Sequence, residues 1–514
     1  MAGTVITDLT FLTGATTGNS SCDSITDWTG TGLAVDTVQF VQGTGSIYSY
    51  SASTTTVRYW TFSCTSTNLQ NKVIYLWFAL GKVAWLNTKA NGGLSIQVGD
   101  GTNYYEWYFA GSDTLPHNGF ICHAIHTSTT PNNTVGTPNL AAVTKITVVA
   151  RGSFPGKAYL WLDAIRVGTY IGVYDGTQTS PATFDDIASA DTSNAYGVFR
   201  RSEGAYLAQI PIIIGKTDAA TYFKDTNKVI FFKDALVPAD FYKIQFVGSS
   251  SYSTYIYFGE KVGGRGTSGI VVRSVGNAKY KLIATDTNVT GFGIYGSQFY
   301  DAYSVDLQPY STSKEVLDTV FTASGLVKIE ETVVQQCQFI SADDIAVRID
   351  DTNFKMTDSI FINNPRAIEF TVSGSFTFEA IKCYGNTYDF RNSSGGTVTI
   401  YADSECVLDA SKQENPYGGT INVILSAIHK LSGLKQGSEV TYVDTSTGEV
   451  VFHVEDVDAS GETTYSYNAS VPRTVDILIH HVNYVPIVIP NVYLGAGGGS
   501  IPVTQYWDRV YANP

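Results

Sequence analysis

Between residues 290 and 400 the chain repeats a short strand-like triplet flanked by polar turns. "SIFIN" around Phe361 has counterparts in "SQFYD" at Phe299, "TVFTA" at Phe321, "CQFIS" at Phe339 and "KCYGN" at Tyr384, in steps of 22, 18, 22 and 23 residues. A second strand follows each copy, in "VDL" at Val305, "VKI" at Val327, "VRI" at Val347, "IEF" at Ile368 and "YDF" at Tyr388. A third is seen in "FKM" at Phe354, "FTF" at Phe376 and "VTI" at Val398, spaced by 22. Three short strands in a period near 21 residues predict a right-handed parallel β-helix over 211–425, each turn stacking about 4.8 Å from the last. Because side chains alternate along a strand, Phe299, Phe321, Phe339, Phe361 and Tyr384 are expected in one inward column. Asp306, Lys328, Arg348, Glu369 and Asp389 are expected in an outward one, with unlike charges adjacent at two steps.

The flanks read differently. Residues 1–172 carry alternating strands such as "KVIYLWFALG", "GLSIQVGD" and "KITVVARG" between Gly, Ser and Thr turns, which predicts a jelly-roll-like β-sandwich. The stretch 173–210 is polar and turn-rich and reads as a linker and cap with one short helix at "TFDDIASA". Ser180 or Thr183 caps that helix, and Asp185 and Asp186 in its first turn favour the dipole. Residues 426–514 predict a small β-sandwich, opening on a hairpin meander "VTYVD", "EVVFHVEDV", "ETTYSYN". The fold class is therefore all-β in three parts.

Composition agrees. The 514 residues include 33 Tyr, 26 Phe and 48 Gly but two Met, with 43% hydrophobic and 15% charged residues, a chain able to build large β-rich cores. A net charge of -14 argues against nucleic acid as the main partner, since phosphate binding needs clustered Lys and Arg. No window approaches the roughly 18 apolar residues of a membrane helix, so no membrane insertion is expected. The start "MAGTVITDLTFLTG" has neither the basic nor the apolar region of a signal peptide. Six Cys without framework spacing suit free thiols made in a reducing cytoplasm.

Two segments carry a resemblance. "IPIIIGKTDAATYFKDTNKVIFFKDALVPADFYKIQFVG" looks like the opening of bacteriophage β-helix domains, and "GSEV…YVDTSTGEV…VDILI…YVPIVIPNV…IPVTQYWDRVY" resembles a terminal module of phage structural proteins. In the order of its parts the chain resembles virion proteins of the tail-spike and tail-fibre type. "KITVVARGSFPGKAYLWLDAIRVG" resembles the final strands of carbohydrate-binding jelly rolls. The phage resemblance implies a virion location, other virion proteins as partners, a homotrimer, and attachment to a host-surface polysaccharide. The alternatives are a capsid decoration or minor head protein, and a polysaccharide depolymerase.

Candidate chemistry is sparse. "SADDIAVRIDDTNF" supplies Asp343, Asp344, Asp350 and Asp351 around one strand, and a glycosidase needs two carboxylates about 5–10 Å apart. Asp also fills solenoid turns because it tolerates the left-handed conformation and bonds its own backbone, which is the commoner reason for such residues. Trp85, Tyr105 and Trp107 are flat aromatics on candidate sandwich strands, able to stack on sugar rings or to fill the core. In "ICHAIHTS", Cys122 and His126 face one side of a strand and His123 the other, which disfavours a metal site. No Ser-His-Asp order, Walker loop or dinucleotide fingerprint occurs, so neither an enzyme nor a cofactor is expected. The period itself generates a prediction. Phe361→Asp places an unpaired charge in the inward column and should yield no soluble folded protein, read by circular dichroism of the purified fraction.

Overall fold

The computed structural model describes residues 3–232, 236–276, 278–307, 313–403, 405–469, 471–495 and 498–508. It is all-β, with one α-helix among the described residues. The chain divides into two compact units, Met1–Gly325 and Leu326–Pro514.

The first unit opens with two antiparallel six-stranded sheets. One contains Val73–Leu80 and Leu160–Gly168, the other Thr55–Thr67 and Val143–Phe154. Alternation along these strands sends Trp60, Phe62, Leu76, Phe78, Ile96, Trp107, Ile146 and Leu162 into a shared core. In Leu160–Gly168 the register shifts between Asp163 and Arg166, and Ala164 adopts φ 49°. Asp163 is thereby buried completely. Its Oδ2 accepts from the backbone N–H groups of Val41 (2.7 Å) and Gln42 (3.2 Å), while Oδ1 meets no partner.

After the sandwich the strand Ile171–Tyr174 pairs antiparallel with Thr4–Thr7 and parallel with Ile212–Ile214. The helix Phe184–Asn194 follows, longer than its sequence signal. Thr183 is the cap, in a capping box with Asp186, and Ser180 is not. From there the chain visits three parallel ladders in a fixed order. One ladder runs through Ile212–Ile214, Tyr242–Phe246, Tyr280–Ile283 and Ala302–Asp306. The next runs through Thr221–Asp225, Thr254–Phe258, Gly291–Tyr295 and Lys314–Leu317. The last takes Ala205–Ala208, Lys228–Phe232, Val271–Val275, Gln298–Tyr300 and Val320–Thr322. Phe299 pairs with Phe321, and their rings stack at 5.4 Å.

In the second unit the same kind of pairing sets Phe339 on Phe361, with rings 4.9 Å apart, and Val347 on Ile368. Two expectations of register fail here. Phe361 pairs with Cys383, and Tyr384 lies beside Ile362, 45% exposed. Glu369 pairs with Arg391, while Asp389 is buried and accepts from Asn386 Nδ2 (3.1 Å) and the Asp409 N–H (2.8 Å). The constant 22-residue step from Phe339 to Phe361 leads to Cys383. An aromatic at 384 drew the sequence alignment one residue too far.

The corrected outward column alternates perfectly in sign over four turns, Arg348, Glu369, Arg391, Glu414. Arg348 Nε lies 2.7 Å from Glu369 Oε2, Arg391 Nε 3.1 Å from Glu369 Oε1, and Arg391 Nη1 2.8 Å from Glu414 Oε2. Glu369 is buried and each of its oxygens meets a guanidinium, so this set is worth more than an isolated surface pair.

The strand Thr420–Ser432 runs through the expected boundary at 425/426. Its first half pairs parallel with Thr397–Ala402 and its second half antiparallel with Glu462–Asn468. Glu439–Asp444 and Val450–Val454 form the expected hairpin, but Glu462–Asn468 does not continue it. It crosses to the other sheet, and Val440, Tyr442, Tyr465, Ile477 and Ile479 share the core between the two. None of the six cysteines is in a disulfide, and among the described residues no helix is long and apolar enough to cross a membrane.

Asp163 generates a pH prediction. Burial holds its carboxyl up at about 7, against about 3.9 in an unfolded chain. Between those values the folded protein keeps a proton that the unfolded chain has released, so stability falls as pH rises from about 4 to about 7. The loss is at most about 4 kcal/mol. Asp163→Asn should flatten that dependence and raise the urea midpoint above the parent's at pH 8, followed by tryptophan fluorescence at pH 5 and 8.

Candidate functional site: a tyrosine-floored groove

The four acidic residues do not assemble into a site. Asp343 and Asp344 are exposed in the turn before Ile345–Ile349, and Asp350 and Asp351 follow that strand. Asp344 is paired with the Arg366 guanidinium, Asp350 accepts from the Thr371 hydroxyl, and Asp351 accepts from the Asn353 N–H at 2.7 Å. At about 3.3 Å per strand residue, the two pairs stand roughly 20–26 Å apart along the chain, too far for joint action on one glycosidic bond. The aromatic trio also separates. Trp85 ends a 3-10 turn and Tyr105 is half-buried, both against the sandwich core. Trp107 is 1% exposed and its indole N–H donates to the Thr129 carbonyl at 2.9 Å, so it has no face to offer a ligand.

A different set of side chains converges, on the ladder of Thr221–Asp225, Thr254–Phe258, Gly291–Tyr295 and Lys314–Leu317. In "TYFKD" and "TYIYF" the period of two sends Thr221, Phe223, Asp225, Thr254, Ile256 and Phe258 inward. Tyr222, Lys224, Tyr255 and Tyr257 face outward. Parallel registry then places Tyr222 beside Tyr255 and Lys224 beside Tyr257. The next strand reads "GFGIY", with Gly291 opposite Tyr255 and Gly293 opposite Tyr257. A Cβ at Gly293 would meet the Tyr295 ring at 2.2 Å, so only glycine lets that ring lie down over the strand. Tyr295 takes the space. It stacks on Tyr257 at 6.3 Å with planes 16° apart, and Tyr222 closes on Tyr257 at 5.6 Å.

One wall of the groove is a hairpin inserted between two ladder strands. Glu260–Val262 and Arg265–Thr267 pair antiparallel around Gly263 and Gly264, both at positive φ. Polar contacts tie it down. Lys224 Nζ lies 2.7 Å from Glu260 Oε1, and Lys261 Nζ lies 2.7 and 2.9 Å from the two oxygens of Glu315. Arg265 binds Asp318 through Nε (3.2 Å) and Nη2 (2.5 Å). The Tyr295 hydroxyl donates to Glu315 Oε1 at 2.7 Å. Burial raises the Tyr257 phenol, and burial with the neighbouring Glu315 charge raises that of Tyr295, so both stay neutral donors.

The resulting groove has a volume of about 320 Å³ between Tyr222, Tyr257 and Tyr295 on the floor and Glu260, Lys261 and Val262 on the hairpin. It offers flat apolar faces, hydroxyl donors, carboxylate acceptors and ammonium donors within one concave surface. That is a combination suited to a polyhydroxylated, ring-shaped ligand, which has both apolar C–H faces and many hydrogen-bonding groups. Sequence reading passed over it because the strands "TYFKD", "TYIYF" and "GFGIY" are irregularly spaced. The signal available was their run of outward tyrosines at period two.

No family model and no curated protein matches the chain. Among solved structures it is similar to an exo-β-agarase (9% identity, TM-score 0.23, covering 30% of this chain and 24% of that one). It is also similar to a carbohydrate-binding module in complex with β-1,4-galactotriose (10%, 0.16, 28% and 89%). A third likeness is to the catalytic domain of a GH87 α-1,3-glucanase in complex with nigerose (10%, 0.19, 81% and 98%). The chain thus spans about a quarter of the agarase. Against the expectation of a protein without enzymatic activity, an agarase and a glucanase catalytic domain stand in this set beside a binding module. At TM-scores of 0.23 and below, the likeness assigns this chain neither an activity nor a ligand.

The hairpin tether is testable. Lys261→Ala should cost no more than about 1 kcal/mol of global stability, since the pair is partly solvated. It should speed hydrogen exchange of the amides at 260–267, measured by mass spectrometry, relative to those of Thr254–Phe258.

Proposed function

We propose that the chain is a bacteriophage virion protein of the tail-spike or tail-fibre type that attaches to a host-surface polysaccharide through the tyrosine-floored groove. The observation that carries this reading is the groove itself: Tyr222, Tyr257 and Tyr295 side by side, with Glu260, Glu315, Lys224 and Lys261 at their edge. Further support comes from the two sequence segments similar to phage structural proteins, and from the fixed cycling of the chain through three parallel ladders. In this reading those ladders are successive faces of a right-handed parallel β-helix, a rigid shaft that needs no disulfide. The assembled form is a homotrimer, and the small C-terminal sandwich locks it or joins it to neighbouring virion proteins. With a chain charge of -14, a neutral glycan or one whose anionic groups meet Lys224 and Lys261 is favoured over a densely anionic one.

Binding of purified protein to polysaccharide extracted from host cells, followed by surface plasmon resonance, tests the reading. Tyr222→Ala/Tyr257→Ala should weaken binding at least tenfold, about 1.4 kcal/mol, with little change in melting temperature because both side chains are surface-facing. Undiminished binding by that double variant, or location of the protein on the capsid lattice by cryo-electron microscopy, would sink it. Release of reducing ends during the same incubation separates cleavage of the glycan from attachment alone.

A further inference from the structure

A second concavity lies in the first unit, away from the ladder that carries the tyrosines. Its volume is about 750 Å³, within the roughly 300–1,000 Å³ of small-molecule sites. Phe109 and Ile121 come from adjoining sandwich strands, Leu115 and Phe120 from the loop between them, and Phe232 and Leu236 from beyond the helix. These make its walls apolar. Its polar lining is cationic or neutral, from Lys89, His117, His123 and Arg200, with no carboxylate among the described lining residues.

His123 is the informative group. It is 95% buried, its ring packs on Phe109 at 4.9 Å, and its Nε2 meets no hydrogen-bond partner. An unpaired polar atom in such surroundings is costly, and the residue lines an open cavity rather than a filled core. Burial and the nearby Lys89 charge hold the imidazole down at about 3. It is therefore neutral at physiological pH, and as the Nε2–H tautomer it can donate one hydrogen bond. Arg200 stands at the same cavity with its guanidinium 5.5 Å from the Phe232 ring centroid.

We infer that this cavity binds an amphipathic monoanion, a molecule with an apolar body against Phe109, Leu115, Ile121 and Phe232 and one anionic head directed to Lys89, Arg200 and His123. The apolar walls supply most of the affinity by removing hydrocarbon surface from water. The two cations and the imidazole N–H select the charged head over a neutral one of equal length. This site is independent of the polysaccharide reading, since it shares no residue with the groove.

Isothermal titration of the full chain with decanoate and with decanol tests it. Decanoate should bind with a stoichiometry of one, and Lys89→Ala/Arg200→Ala should weaken it at least tenfold while leaving decanol affinity within twofold. Leu115→Trp, at a half-buried loop position, should narrow the cavity and weaken both. No saturable heat with decanoate up to 1 mM overturns the inference, as does equal decanoate binding by the double variant and the parent. Unchanged affinity for both ligands in a folded Leu115→Trp variant overturns the location. Should Leu115→Trp fail to fold, the Lys89/Arg200 variant, altered only at half-exposed side chains, still decides.

Discussion

In-register parallel pairing is the constraint on which the middle of this structure, with its groove and charge column, depends. When a strand pairs with one about 22 residues later, each side chain lands on its equivalent, and whatever the sequence places at one turn must tolerate its copy at the next. Apolar side chains gain from this, as Phe339 on Phe361 and Val347 on Ile368 illustrate. Charges gain only if they alternate. The column Arg348, Glu369, Arg391, Glu414 meets that condition, and Glu369 within it is engaged on both sides.

The same constraint shapes the groove. A continuous outward column of tyrosines would form a wall of edges, because neighbouring rings about 4.8 Å apart must tilt or stack. Gly291 and Gly293 interrupt the column, and Tyr295 folds into the gap so that its face joins that of Tyr257. The hairpin that walls the groove is an insertion between two ladder strands, which the ladders accommodate because the pairing of Thr254–Phe258 and Val271–Val275 with their neighbours is undisturbed. Salt links from Lys224, Lys261 and Arg265 then hold it against the ladder face.

The places where sequence reading and structure part company share a cause. At Tyr384 and Asp389, residue type and spacing disagree: an aromatic at 384 and an acid at 389 suit the expected columns, whereas a step of 22 leads to Cys383 and, in the next strand, to Arg391. In the C-terminal sandwich, Glu462–Asn468 has the alternation of a meander strand, but its partner is Thr420–Ser432, remote in sequence. Alternation reports which face of a strand is apolar and is silent about which strand lies beside it. Trp107 shows the same limit, since a tryptophan at period two with Tyr105 suits a binding face and a core equally until the opposite sheet is placed.

By itself the sequence determined the all-β class, a repeat near 21 residues, the stacking of Phe299 on Phe321 and of Arg348 on Glu369, and a capped helix start at Ser180 or Thr183. Each of these follows from local alternation, local capping chemistry or a fixed step along the chain. Only the tertiary structure decided that Tyr222, Tyr257, Glu260, Tyr295 and Glu315 form one groove, and that His123 borders a cavity with Lys89 and Arg200. Those groupings join residues at unequal separations, through ladder register, an inserted hairpin and the packing of a loop. None of these leaves a period in the sequence.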